Sequence, residues 1–247
     1  MFSGKTALIT GASSGIGEQM ARQLAAVGCN LILVARRTER LDSLAAELAS
    51  VTVDVITADL SDPQAAEAVF AQTQAAGRQV DILINNAGMQ HRRPLEDFPP
   101  DAFEKLLQTN IASVFNVGQA CARHMIGRRA GKIVNICSVQ TALARPGIAP
   151  YTATKGAVAS LTRGMATDWG KYGLQINGLA PGYFATPLNQ ALVDDPDFTA
   201  WLENRTPAGR WGKVEELVGA AIFLSSQASS FVNGTTVYVD GGITACL

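Results

Sequence analysis

The sequence predicts one α/β domain built on a doubly wound sheet of about seven parallel strands flanked by helices. Short apolar runs alternate with longer stretches of helical periodicity along the whole chain, and a glycine-rich turn joins the first run to the first helical stretch. No Pro/Ser-rich linker, low-complexity tract or internal repeat divides the 247 residues. Strands separated by helices require right-handed crossovers, which cover both faces of a parallel sheet.

The expected strands are 7–10, 31–35, 53–57, 82–85, 133–137, 175–179 and 237–239. Several are continuously apolar, as suits strands covered on both faces. Helical periodicity falls at 17–27, 39–49, 63–75, 103–125, 153–171 and 215–225. Pro63 behind Ser61-Asp62 offers the third helix a cap and a first turn.

Composition narrows the function classes. Hydrophobic residues make up 47% of the chain and the formal net charge is −1. That balance suits a buried core and excludes disorder or a general attraction to nucleic acid. No apolar run approaches the roughly 20 residues that span a bilayer, and the chain enters its first strand too soon for a signal peptide. Cys29, Cys121, Cys137 and Cys246 form no Cys-x-x-Cys pair, so reduced thiols in a cytoplasmic protein are expected. His91 and His124 lack metal-ligand spacing, and no metal is expected.

The turn after the first strand reads Thr10-Gly11-Ala12-Ser13-Ser14-Gly15-Ile16-Gly17. Glycines let the backbone approach a pyrophosphate, and the following helix N-terminus offers free N–H groups and a positive dipole end. Gly11, Ser13, Ser14, Gly15, Ile16 and Gly17 are therefore candidate dinucleotide contacts. An acid at the end of the second strand would accept from a ribose 2′-hydroxyl and repel a 2′-phosphate. Here stand Ala35-Arg36-Arg37, with two cations and no acid. A guanidinium binds phosphate through paired hydrogen bonds, so NADP(H) is the expected cofactor, with Arg36 more important than Arg37.

Asp59-Leu60 follow the third strand, placed either to contact the adenine or to cap the next helix. Asn85-Asn86-Ala87-Gly88 end the fourth. Asn86, Ala87 and Gly88 would let a cofactor pass closely, while the asparagines could tie neighbouring strands.

The proton chemistry is expected at Tyr151-Thr152-Ala153-Thr154-Lys155. Positions i and i+4 share a helix face, so Tyr151 and Lys155 can act on one substrate. A phenol is a poor base at neutral pH, and a nearby ammonium lowers its pKa. Ser138, at the carboxyl end of the fifth strand, lies where open α/β sheets bind ligands. Its hydroxyl can donate to a carbonyl oxygen and to charge developing there.

Along essentially its whole length the chain resembles the short-chain dehydrogenase/reductase family. The likeness is carried, in family order, by residues 10–17 and 85–88, Asn110, Ser138, Tyr151, Lys155 and Pro181-Gly182. It implies a Rossmann-like fold and direct hydride transfer without a metal. By this resemblance Tyr151 is the general acid/base, Lys155 holds the nicotinamide ribose and Ser138 orients the substrate. Asn110 would hold a water that relays protons to Lys155, and Pro181, Gly182 and Thr186 would close around the nicotinamide. The resemblance also implies a homotetramer, through helices near 102–127 and 153–171 and the last strand, and a substrate lid at 188–205.

From Asn86 to Gly242 the likeness narrows to the gluconate 5-dehydrogenase, or 5-keto-D-gluconate reductase, branch. His124-Met125 and the strings at 131–140, 180–186 and 205–212 carry it. The implied substrate is a small carbonyl/alcohol pair, a sugar acid. Such a molecule needs a cation for its carboxylate, and Arg92, Arg93 and Arg145 are candidates with Arg92 favoured. Gln140 could hydrogen-bond a hydroxyl. The chain departs from the branch at Ala142 and Pro187, where an acid is usual, and residues 2–80 resemble the family at large. A polyol or other hydroxy-ketone, a 3-oxoacyl thioester, and a non-catalytic NADP-binding regulator are the alternatives.

Overall fold

Each apolar run becomes a strand of one parallel sheet in the computed structural model, which describes residues 2–246. The strands are β1 (Thr6–Thr10), β2 (Asn30–Ala35), β3 (Val53–Thr57), β4 (Ile82–Asn85), β5 (Gly131–Ile136), β6 (Leu174–Pro181) and β7 (Thr236–Val239). Their spatial order is β3-β2-β1-β4-β5-β6-β7, every neighbour parallel. The chain winds outward from β1 to β3, then returns to build from β4 in the opposite direction. That reversal opens a crevice between the carboxyl ends of β1 and β4, where sheets of this kind bind ligands.

Side chains alternate across the sheet and divide the core in two. Ala7 and Ile9 of β1 and Leu31 and Leu33 of β2 join one cluster with Met20 and Leu24 of helix α1 (Gly15–Ala26). Leu8, Ile32 and Val34 join the other, against Val69 of α3 (Ala65–Ala75). A further helix, α2 (Thr38–Glu47), packs beside β3.

Three helices differ from expectation. The third begins at Ala65 rather than Pro63, because the Asp62 carboxylate takes the Gln64 N–H at 2.9 Å and holds that stretch as a turn. The fourth is longer and interrupted. It runs as α4 (Pro100–Leu107), a π-helical turn (Gln108–Ala112) and α5 (Ser113–Arg128). Such a turn inside an α-helix is rare and marks functional positions; hydrophobic periodicity does not reveal it.

Helix α6 (Ala149–Trp169) starts four residues before the expected 153, so Tyr151 stands in its first turn and Lys155 one turn on. After β6 come a 3-10 turn (Pro187–Asn189), α7 (Gln190–Val193), α8 (Pro196–Arg205) and α9 (Val214–Ser225). The Asp195 carboxylate caps α8 by accepting the N–H groups of Asp197 and Phe198. Among the described residues no helix is long and apolar enough to cross a membrane.

Candidate active site

The crevice begins with the loop between β1 and α1. Gly11 and Gly15 adopt φ of +67° and +57°, which L side chains resist, and they turn the chain sharply into the helix. Opposite, the Thr10 hydroxyl accepts the N–H groups of Asn86 and Ala87, each at 3.0 Å. The Asn86 amide donates back to the carbonyls of Thr10 and Gly11. These bonds fasten the two loops at the switch point. Gly11, Ser13, Ser14, Gly15 and Ile16 line the resulting cleft, with Ala87 and Gly88 across from them.

Two expected cofactor contacts behave differently. A Cβ on Gly17 would lie 2.4 Å from the Gly11 carbonyl oxygen, and Gly17 is buried away from the cleft wall. Its lack of a side chain serves helix packing. Asn86 reaches the cleft, but its amide hydrogens are taken by the loop it braces.

The two arginines after β2 divide their tasks. Arg37 folds over the loop, donating to the Ser14 hydroxyl at 2.8 Å and to the hydroxyl and carbonyl of Ser13. Arg36 stays exposed, 3.9 Å from Asp59. The Asp59 carboxylate holds the N–H and hydroxyl of Ser61, so it braces its own turn. It does not cap the next helix, which starts at Ala65. Asp59 and Leu60 both line the cleft, with Lys105 beside them.

A second pocket continues from the cleft. Ser138, Tyr151 and Lys155 line it together with Pro181, Gly182 and Thr186. Ser138 leaves β5 in an extended conformation and its Oγ accepts the Gln140 N–H at 3.1 Å. Lys155 is buried and donates to the Ile136 carbonyl at 2.7 Å, with Nζ 5.7 Å from the centre of the Tyr151 ring.

The spacing from Lys155 leads one to expect the Tyr151 phenol below its ordinary range. Burial instead pushes it up, against the downward pull of the Ser138 hydroxyl. Burial also holds Lys155 down to about 8. Loss of solvent is the largest influence on the phenol, and the Lys155 ammonium makes its short bond to a carbonyl.

Asn110 lies behind this pocket on the π-helical turn, fully buried. Its Oδ1 accepts the Met89 N–H at 2.9 Å, and its Nδ2 donates to the Met89 carbonyl and to the Thr154 hydroxyl. Both amide hydrogens are thereby spent on protein. The side chain clamps the segment after Gly88 to the helix that carries Tyr151 and Lys155. Below it, Asn85 donates to Asn135 at 2.9 Å, tying β4 to β5 as the sequence suggests.

The far wall is cationic. Arg145 lines the pocket, and Arg92 stands beside it. Burial first, and then the neighbouring Arg145, hold the Arg92 guanidinium below the usual arginine range. No acidic side chain lines the pocket among the described residues. Arg93, the other candidate, is exposed and contributes a main-chain bond to Gly147 instead. Gln140 is buried and donates to the Tyr183 hydroxyl at 3.4 Å.

These two connected spaces have known counterparts. A family model described as enoyl-(acyl carrier protein) reductase matches residues 11–244. The chain belongs to the short-chain dehydrogenase/reductase family. It is 59% identical to gluconate 5-dehydrogenase of Gluconobacter oxydans (strain 621H), covering 100% of this chain and 97% of that protein. It is 44% identical to 5-keto-D-gluconate 5-reductase of Escherichia coli (strain K12), covering 98% and 96%. The crystal structure of a gluconate 5-dehydrogenase from Burkholderia cenocepacia J2315, in complex with NADP and tartrate, superposes with a TM-score of 0.96. The two chains are 53% identical, over 100% of this one and 97% of that one.

Within this short-chain dehydrogenase/reductase, several site residues escape sequence reasoning. Tyr183 joins Gln140 and packs its ring against Phe198, Trp201 and Trp211. Its position directly after Pro181-Gly182 is the signal that could have found it. Met89 and Gln90 line the pocket because Asn110 draws that segment inward, which no local pattern announces. Thr10 and Thr154 matter as hydrogen-bond hubs.

Proposed function

We propose that this protein is an NADP(H)-dependent oxidoreductase interconverting a keto sugar acid and its hydroxy acid, 5-keto-D-gluconate and D-gluconate first among them. One observation carries the reading: Ser138, Tyr151 and Lys155 share a pocket with Arg145, beside Arg92, and no acid lines it among the described residues. A carboxylate substrate would be welcome there, and a cation would not. The named relatives act on this pair or bear its name, which supports the choice.

The residues present fit the cofactor. The Gly11–Gly15 turn and the start of α1 suit a pyrophosphate. Ser13, Ser14, Arg36 and Arg37 suit a 2′-phosphate, and the absence of an acid at the end of β2 removes what would repel it. In the proposed pose Asp59 and Leu60 flank the adenine, Ala87 and Gly88 admit the ribose, and Pro181, Gly182 and Thr186 enclose the nicotinamide. When bound, the reduced nicotinamide supplies a hydride to the carbonyl carbon.

The chain's own residues supply the rest. The Tyr151 phenol gives its proton to the carbonyl oxygen, turning C=O into CH–OH. Ser138 donates a hydrogen bond to that oxygen. The Lys155 ammonium favours the phenolate left behind and holds the ribose hydroxyls. Asn110 positions Met89 and Thr154 beside this centre. Arg92 takes the substrate carboxylate with Arg145 beside it, and Gln140 is available to a hydroxyl.

In the same reading, residues 188–205 form a lid and the enzyme works in the cytoplasm as a homotetramer. Exposed Phe103 and Phe115 on α4 and α5, and Phe231 and Tyr238 at the β7 edge, are suitable contact surfaces. Light scattering tests the assembly. The activity is tested by following NADPH oxidation with 5-keto-D-gluconate, a simple ketone, a polyol-derived ketose and an acetoacetyl thioester. The expected result is preferred turnover of 5-keto-D-gluconate; preferred turnover of another class rejects the assignment.

A further inference from the structure

Arg145, in the pocket wall, and Arg92, beside it, each also touch the lid segment. The Arg92 guanidinium donates to Gln90 Oε1 at 2.8 Å and to the main-chain carbonyl of Leu188 at 3.5 Å. Leu188 belongs to the 3-10 turn that opens residues 188–205. The Arg145 guanidinium lies over the Phe198 ring, 5.4 Å from its centre, and Phe198 belongs to α8. One arginine therefore meets the start of the segment and the other its long helix.

Neither arginine has a carboxylate partner among the described residues. The Nε of each is buried without a hydrogen-bond acceptor. Two like charges sharing a half-buried wall repel each other, and an aromatic face and carbonyl oxygens offset only part of that cost. A small anion between them would remove the repulsion and satisfy the idle donors. The lid contacts would strengthen in the same event.

Resting on the sugar-acid reading above, we propose that the substrate carboxylate, bound between Arg92 and Arg145, fastens the lid over the pocket, with Arg145 as the positioning residue. The carboxylate is remote from the carbonyl that reacts. Binding energy from such a remote group can be directed into closure, and then it appears in kcat as well as in KM. A guanidinium that only held the carboxylate would change KM alone.

The test divides the substrate into two pieces. Acetate is added to wild-type enzyme turning over dihydroxyacetone, a neutral ketone lacking the carboxylate, at saturating NADPH. Stimulation of at least about tenfold is expected, the worth of one charge-assisted hydrogen bond. Simple competitive inhibition, or no effect, overturns the proposal. Trp201 on α8 is 46% exposed and reports the lid without turnover. Acetate in the presence of NADP should shield it from iodide quenching; unchanged quenching counts against lid fastening.

Arg145→Ala should lose the stimulation and lower kcat for 5-keto-D-gluconate about 30-fold, while Arg145→Lys recovers part of the loss. A change in KM alone, for both variants, reduces Arg145 to a binding group. The two readings fail separately. Turnover of 5-keto-D-gluconate without any acetate effect overturns the lid inference only. Acetate stimulation and shielding without 5-keto-D-gluconate turnover leave the lid inference standing and reject the substrate.

Discussion

The two halves of the crevice are built by different means. On the β1–β2 side, the wall is mostly backbone: a glycine turn, a helix start and the hydroxyl of Thr10 holding two N–H groups. On the β5–β6 side, the wall is side chain, brought from separate loops, the start of α6 and the lid: Ser138, Arg145, Tyr151, Tyr183 and Leu188. A backbone wall tolerates change only where no Cβ intrudes, and it suits a ligand common to a whole family. A side-chain wall changes with single substitutions and can set the substrate.

The largest expected effect lies on the side-chain half. Tyr151→Phe should lower kcat about 1,000-fold in reduction while NADPH affinity, read by fluorescence titration, is retained. A loss under tenfold would move the proton donor elsewhere. On the other half, Arg37→Ala removes a guanidinium already seated on Ser13 and Ser14, and Arg36→Ala removes its exposed neighbour. Each should weaken NADPH binding about 10- to 100-fold with little change for NADH. Equal losses for both nucleotides would mean that the arginines stabilise the loop instead.

Gly17→Ala probes the backbone wall directly. The added methyl would meet the Gly11 carbonyl at 2.4 Å, so a loss of about 2 kcal/mol and a fall of about 6 °C in melting temperature are expected. An unchanged melting curve would show that the α1 junction yields freely.

The dependence on pH is gentler and has a definite sign. Burial holds the Tyr151 phenol above its ordinary range, so the proton needed for reduction is present through neutral pH. Oxidation needs that proton gone, and its kcat/KM should climb as pH rises from 7 toward 8, where Lys155 still carries its charge. Lys155, held down to about 8, is charged below that pH and loses its charge above it. Reduction should therefore decline on the alkaline side. A reduction profile that rises through pH 8 would contradict these roles.

The same division governs how much the sequence revealed. All seven strands fall within a few residues of the expected runs, because apolar continuity and helical periodicity are local signals. The Gly11–Gly15 turn, Ser138 and the Tyr151–Lys155 spacing are local too, and the structure gathers them at the crevice. What escaped is long-range. The π-helical turn at Asn110 leaves the apolar pattern of its helix unbroken, so its place in the chain does not disclose the clamp on Met89. The start of α3 was displaced by one Asp62 hydrogen bond. Burial of the Tyr151 phenol, which pushes it up, is likewise a property of the fold that spacing along a helix does not report.

The central claim is that the acid-free wall selects a keto acid over a neutral ketose. Steady-state kcat/KM for 5-keto-D-gluconate and for a neutral six-carbon ketose, in wild type and in Arg92→Ala, tests it most directly. The account predicts a wild-type preference of about 100-fold or more for the acid, collapsing toward parity in Arg92→Ala. Equal use of the neutral ketose by wild type, or a preference that survives the substitution, would contradict it.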